Sequence, residues 1–160
     1  MVSVRKAGLP DIDELTELRV AYLSEDHGGL SAETERTLRT QLPGYYQRHL
    51  NQDLFVYLLI VEESVAACAF LLVDEKPMSP AFINGRTGTV LNVYTRADMR
   101  HRGYGGRVME ELLKDAEKME IAVIELKATK AGYPLYRKAG FADDQSAYHR
   151  MVWHNSRVGE

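Results

Sequence analysis

A mixed α/β fold is what this sequence predicts, and three stretches carry the expectation. Two strongly apolar runs, 54–61 and 65–73, are rich in β-branched and aromatic residues, and only Glu62-Glu63-Ser64 separates them, so they read as an antiparallel hairpin. The strand-like run 89–95 leads through a glycine-rich loop into Val108, Met109, Leu112, Leu113, Ala116 and Met119, which share one helical face. The run 121–128 is strand-like again. Strand, helix of ~15 residues and strand imply one parallel crossover. The 160 residues suit one domain over 1–160, with no internal repeat or linker.

In chain order, 2–4 is a short first strand. Pro10 followed by Asp11, Asp13 and Glu14 opens a helix, because proline fits a first turn and acidic groups suit its positive end. Ile12, Leu15, Leu18 and Tyr22 form its apolar stripe. The polar, glycine-paired stretch from Ser24 to Gly29 reads as a loop, either a solvated connection or an acidic rim for a cationic amine. His27 within it reads more simply as a surface residue than as a catalyst. Ser31 is an N-cap for a second helix that Pro43-Gly44 interrupts. Tyr45 and Tyr46 then either line a pocket or pack half-buried. Thr87 starts the third long strand. A short helix spans 132–139, with Gly140 ending it. Finally, 146–153 alternates Tyr148, Arg150 and Val152 against His149, Met151 and Trp153, as a half-buried strand would.

Composition excludes some functions. A hydrophobic fraction of 45%, a charged fraction of 27% and a net charge of −3 point to a globular chain without a nucleic-acid partner. No run reaches the ~18 apolar residues of a membrane span. No secretory leader is read at the start, so a cytoplasmic protein without a membrane partner is expected. Cys68 is the one cysteine, inside an apolar run, and reads as a buried, inert thiol. No metal set of familiar spacing occurs.

The chemistry concentrates at Arg100-His101-Arg102-Gly103-Tyr104-Gly105-Gly106-Arg107. This loop joins a strand to a helix start, where unpaired amides and the helix dipole favour an anion. Gly103 and Gly105 let backbone approach a ligand or take positive φ. Arg100, Arg102 and Arg107 can each grip a phosphate with two hydrogen bonds. A dinucleotide fingerprint fails because Val108 stands at its third glycine, and a P-loop lacks its Gly-Lys-Ser/Thr ending. What remains is R-x-x-G-x-G, from Arg100 to Gly105; the plainer reading is a glycine-rich turn with solvated arginines.

That segment resembles the pyrophosphate loop of the GNAT superfamily of acetyl-CoA-dependent N-acetyltransferases. Two flanking segments are similar to that family as well: Val90-Leu91-Asn92-Val93-Tyr94-Thr95 before the loop, and Leu135-Tyr136-Arg137-Lys138-Ala139-Gly140-Phe141 after the next strand. The resemblance spans about 87–141. It implies a mixed, mostly antiparallel central sheet flanked by helices, with two strands splayed around the pantetheine arm of acetyl-CoA. It implies that Val93, Tyr94 and Thr95 contact that arm at a bulge, one amide polarising the thioester. The segment from Arg100 to Arg107, including His101, Tyr104 and Gly106, would hold the pyrophosphate, and Thr129 would stand beside the arm. Two departures matter: the family often has asparagine where Thr129 stands, and a glutamate base before the bulge, where this chain has Val90, Leu91 and Asn92.

Acetyl transfer needs a neutral amine, a polarised thioester and a proton for the leaving thiolate. Tyr136 is the acid candidate, its alternative role being helix packing. Glu25, Asp26 and His27, with Asn92, are candidates for the acceptor side, and Glu25-Asp26 favour a cationic amine. The expected activity is therefore direct transfer of acetyl from acetyl-CoA to a primary amine, small or peptidic, with no metal and with a homodimer left open. A non-catalytic acyl-CoA-binding sensor is the competing class.

Overall fold

The computed structural model describes residues 1–159. Its centre is a five-stranded sheet in the order β1 (Val2–Lys6), β2 (Leu54–Val61), β3 (Ser64–Glu75), β4 (Arg86–Thr95) and β5 (Val123–Glu125). Neighbours from β1 to β4 are antiparallel, and β4 and β5 are parallel. The mixed, mostly antiparallel sheet with one crossover is thus the observed fold. The β2–β3 hairpin closes through Glu62 and Glu63, both at positive φ (46° and 68°), as a primed two-residue turn requires. The strand pairing, not favourable turn residues, sets that conformation.

Both faces of the middle strands are buried, which is why their sequences run continuously apolar. On one face, α1 (Ile12–Asp26) and α2 (Ala32–His49) set Leu15, Leu18, Tyr46 and Leu50 against Val56, Leu58 and Phe70. On the other, α3 (Tyr104–Lys118) sets Val108, Met109, Leu112 and Ala116 against Tyr57, Ala69, Leu71 and Val90. The short α4 (Tyr133–Ala139) follows β5 and ends at Gly140, whose φ of 108° is the left-handed cap glycine accepts readily.

Four expectations are corrected. α1 runs on to Asp26, so Glu25 and Asp26 stand on its last turn and not in a loop. α2 continues through Pro43. An interior proline costs about 3 kcal/mol, and the burial of Tyr46 and Leu50, reached only if the chain stays helical, offsets it. β5 is three residues long where 121–128 was expected. The stretch 146–153 is not a strand: it pairs with nothing, and Tyr148, Met151 and Trp153 are exposed. Alternation can express itself only where a neighbouring strand and a core face are available.

Candidate active site

The site begins where β4 stops being regular. Leu91 pairs with Phe70, but the next pair is Tyr94 with Cys68, so Asn92 and Val93 together oppose Ala69. This is a β-bulge, in which one residue is left out of the ladder. Asn92 takes φ of 50°, which asparagine tolerates better than most residues. Its side chain is buried and tied on both sides. Oδ1 accepts from Arg19 Nη1 at 3.3 Å, and Nδ2 lies 3.7 Å from Cys68 Sγ. The Cys68 thiol donates to the Asn92 carbonyl at 3.5 Å. Burial pushes that thiol up to about 12, so Cys68 holds the bulge in place and stays protonated.

On the other side of β4 the parallel ladder with β5 ends at the pair Thr89–Glu125. Beyond it the two chains part. Residues 89–93 and 125–129 line a cavity of about 760 Å³, closed by Arg19, Tyr22 and Asp26 of α1 and by Tyr136 of α4. A second cavity, of about 590 Å³, continues past Val93, Tyr94 and Thr95 to the loop containing Gly103 and Gly105. Six residues line both: Tyr22, Asp26, Val93, Lys127, Thr129 and Tyr136. They mark a junction with a different compartment on each side.

The glycine loop closes the far end. Gly103, at φ 77°, turns the chain into α3 and leaves the first amides of that helix facing out. Gly106 has open space around its missing Cβ, as a phosphate would need. The family to which this architecture belongs is decided by comparison: residues 13–141 match the acetyltransferase (GNAT) family. The chain belongs to the acetyltransferase (GNAT) family. Its fold is shared with a predicted acetyltransferase from Clostridium acetobutylicum solved with acetyl-CoA, at 27% identity and a TM-score of 0.81 over 95% of this chain and 96% of that one. A GCN5-related N-acetyltransferase from Ralstonia eutropha has the same fold at 23% identity and a TM-score of 0.79, over 94% and 99% of the two chains. An uncharacterised N-acetyltransferase of Porphyra purpurea is 34% identical over 71 residues, 44% of this chain. That match spans 41% of the curated relative's length.

In this member of the GNAT family the residues singled out from sequence fall into three groups. Val93, Tyr94, Thr95, Thr129 and Tyr136 do come together along the cavities. Tyr136 is half-buried, edge-on to Phe141 at 6.1 Å, and burial first, then Tyr22, pushes its phenol up to about 12. Thr129 Oγ1 accepts from the Gly132 amide at 3.0 Å, so its hydroxyl also shapes the entry to α4.

A second group serves the framework. Arg100 donates to Glu25 at 2.8 Å and to the Thr95 carbonyl at 2.9 Å, and stacks over Tyr94 at 5.6 Å. The pair holds the Glu25 carboxyl below its ordinary range. Arg100 and Glu25 therefore tie the end of α1 to the glycine loop. Gly105 is buried, and a Cβ there would stand 2.6 Å from Leu135 Cδ1, so close packing of α3 on α4 also demands this glycine. Tyr104 packs inward beside Leu59, Ala66 and Ala67. Tyr46 belongs to the core, and Tyr45 stacks on His49 at 4.5 Å.

The third group faces solvent. His101, Arg102 and Arg107 are exposed at the loop, the guanidinium of Arg102 reaching the Asp98 carbonyl at 3.4 Å. His27 lies 3.8 Å from Asp26, outside both cavities. Sequence reasoning passed over Arg19 and Lys127. Arg19 stands at i−3 and i−7 from Tyr22 and Asp26, so it shares a helix face with them. Among the described residues no helix is long and apolar enough to cross a membrane.

Proposed function

We propose that this chain transfers an acetyl group directly from acetyl-CoA to a primary amine at the junction of the two cavities. The observation that carries the reading is the coincidence, around one cavity, of the Asn92–Val93 bulge, the end of the β4–β5 ladder and Tyr136. The outward helix-start amides, the space at Gly106 and the exposed Arg102 and Arg107 fit a pyrophosphate. The cavity beside Val93, Tyr94 and Thr95 fits an extended arm.

In the reaction the amine nitrogen attacks the thioester carbon. A C–N bond forms as the carbonyl becomes an oxyanion, which a bulge amide stabilises by donating to it. The C–S bond then breaks. The Tyr136 phenol donates to the departing thiolate, which leaves as the CoA thiol once protonated. The proton released by the amine passes to Asp26, directly or through water, and solvent then returns a proton to the Tyr136 phenolate as Asp26 gives its own up; Asp26 is the carboxylate that lines both cavities. This assignment supplies a base despite Val90, Leu91 and Asn92 standing where the family often has glutamate.

That same departure favours a second reading, a non-catalytic acyl-CoA sensor. Release of free CoA thiol over a panel of amines separates the two. Direct transfer predicts release that rises with amine and an acceptor heavier by one acetyl group. Binding of acetyl-CoA without amine-dependent release establishes the sensor.

A further inference from the structure

We infer that the acceptor amine carries a carboxylate, and that Arg19 is the residue that binds it; this rests on the transfer reading above. Arg19 lines the cavity on the acceptor side and not the one that leads to the glycine loop. Arg19 is half-buried, whereas Lys127 and Arg150, the other cations of that cavity, are exposed. Among the described residues no carboxylate lies within ion-pair distance of it. Its recorded partner is the amide oxygen of Asn92, a neutral group, at 3.3 Å. A guanidinium has five N–H donors in a rigid fork, so most of this one's capacity is free for a planar anion.

The surroundings select the anion. Tyr22 and Tyr136 line the same cavity as Arg19, so the cation has aromatic walls beside it. A half-buried charge in such a place is costly to leave without a counter-ion. Asp26, Glu125 and Asp144 line the same cavity, which disfavours a dianionic phosphate and suits a single carboxylate beside an ammonium. The order of groups also fits. Arg19 and Asp26 share a face of α1, about 10 Å apart along the axis at 1.5 Å per residue. Asp26 stands at the junction where the amine must react. An amino acid would thus place its nitrogen at the junction and its carboxylate on Arg19.

The test uses the whole chain with acetyl-CoA and matched acceptors: amino acids of increasing amine-to-carboxylate spacing, each beside its amide. The wild type should prefer at least one carboxylated acceptor over its amide by ~10-fold or more in kcat/KM. Arg19→Met should collapse that preference towards one, mainly through KM. Arg19→Lys, which keeps the charge and loses the fork, should leave an intermediate preference. Thermal melts establish that both variants are folded. Equal use of acids and amides by the wild type, or an unchanged preference in Arg19→Met, overturns the inference while leaving acetyl transfer intact. Release of thiol with neither acids nor amides overturns the inference, and its absence across the wider amine panel overturns the transfer reading as well.

Discussion

Tyr136 packs the cleft, and the proposed mechanism asks chemistry of the same side chain. Its ring meets Phe141, and the residue lines both cavities where they join. With the phenol pushed up to about 12, it keeps its proton throughout the neutral range. It can therefore donate to a developing thiolate at any working pH, and it contributes no falling limb to a kcat profile measured up to pH ~10. Tyr136→Phe should keep the fold and the affinity for acetyl-CoA, and lower kcat by about 10²-fold or more. Steady-state rates beside a melt check this. A variant as fast as the parent would mean that the ring only packs. This residue stood out as a candidate because it sits in the Leu-Tyr-x-Lys-x-Gly-Phe ending. Arg19 was not, because a single arginine on a helix says nothing about what its guanidinium meets until Asn92, 73 residues away, is placed beside it.

At the scale of elements, pairings decide what local pattern could not. The stretch from Ser24 to Gly29 looks like a loop, yet the helix runs through Glu25 because Arg100, 75 residues later, is there to receive it. The strand pattern at 146–153 is locally sound but has no partner. Two element-level predictions follow from contacts of the same kind. Gly105→Val should destabilise by about 1–3 kcal/mol, because a branched side chain must displace Leu135 at the α3–α4 contact. Adding Leu135→Ala should recover part of that loss, with a coupling of at least ~0.5 kcal/mol. Strict additivity of the two changes would refute the packing account.

The second concerns the start of α1. Arg5 on β1 holds Asp11 through two hydrogen bonds, of 2.8 and 2.9 Å, and the Gly8 amide adds a third. The Arg5 bond chiefly keeps the Asp11 carboxyl below its ordinary range. A depressed carboxylate contributes stability above the unfolded value of ~3.9 and loses it as pH falls through the lower folded value. Asp11→Asn should therefore cost about 1 kcal/mol or less near pH 7, since the pair is partly exposed. The difference from wild type should shrink as pH falls below ~4. Melts of both proteins across that range check it; a difference that grows towards acid would have the wrong sign.

For the whole molecule, the β2–β3 hairpin, the parallel crossover and the glycine loop were readable because each is written in runs of ten residues or so, where periodicity and composition are unambiguous. The junction was readable only in outline, since it is made by the bulge, by strands that part after Thr89 and Glu125, and by the far end of α1, three places brought together by the fold. The central claim is that acetyl-CoA lies in this cleft with its thioester at that junction. A crystal structure of the chain with acetyl-CoA tests it most directly. The account predicts the pyrophosphate on the backbone amides between Gly103 and Arg107, the arm between β4 and the chain leaving β5, and the sulfur facing the Tyr136 hydroxyl. Acetyl-CoA bound outside the cleft, or a Tyr136 hydroxyl turned away from the sulfur, would contradict it.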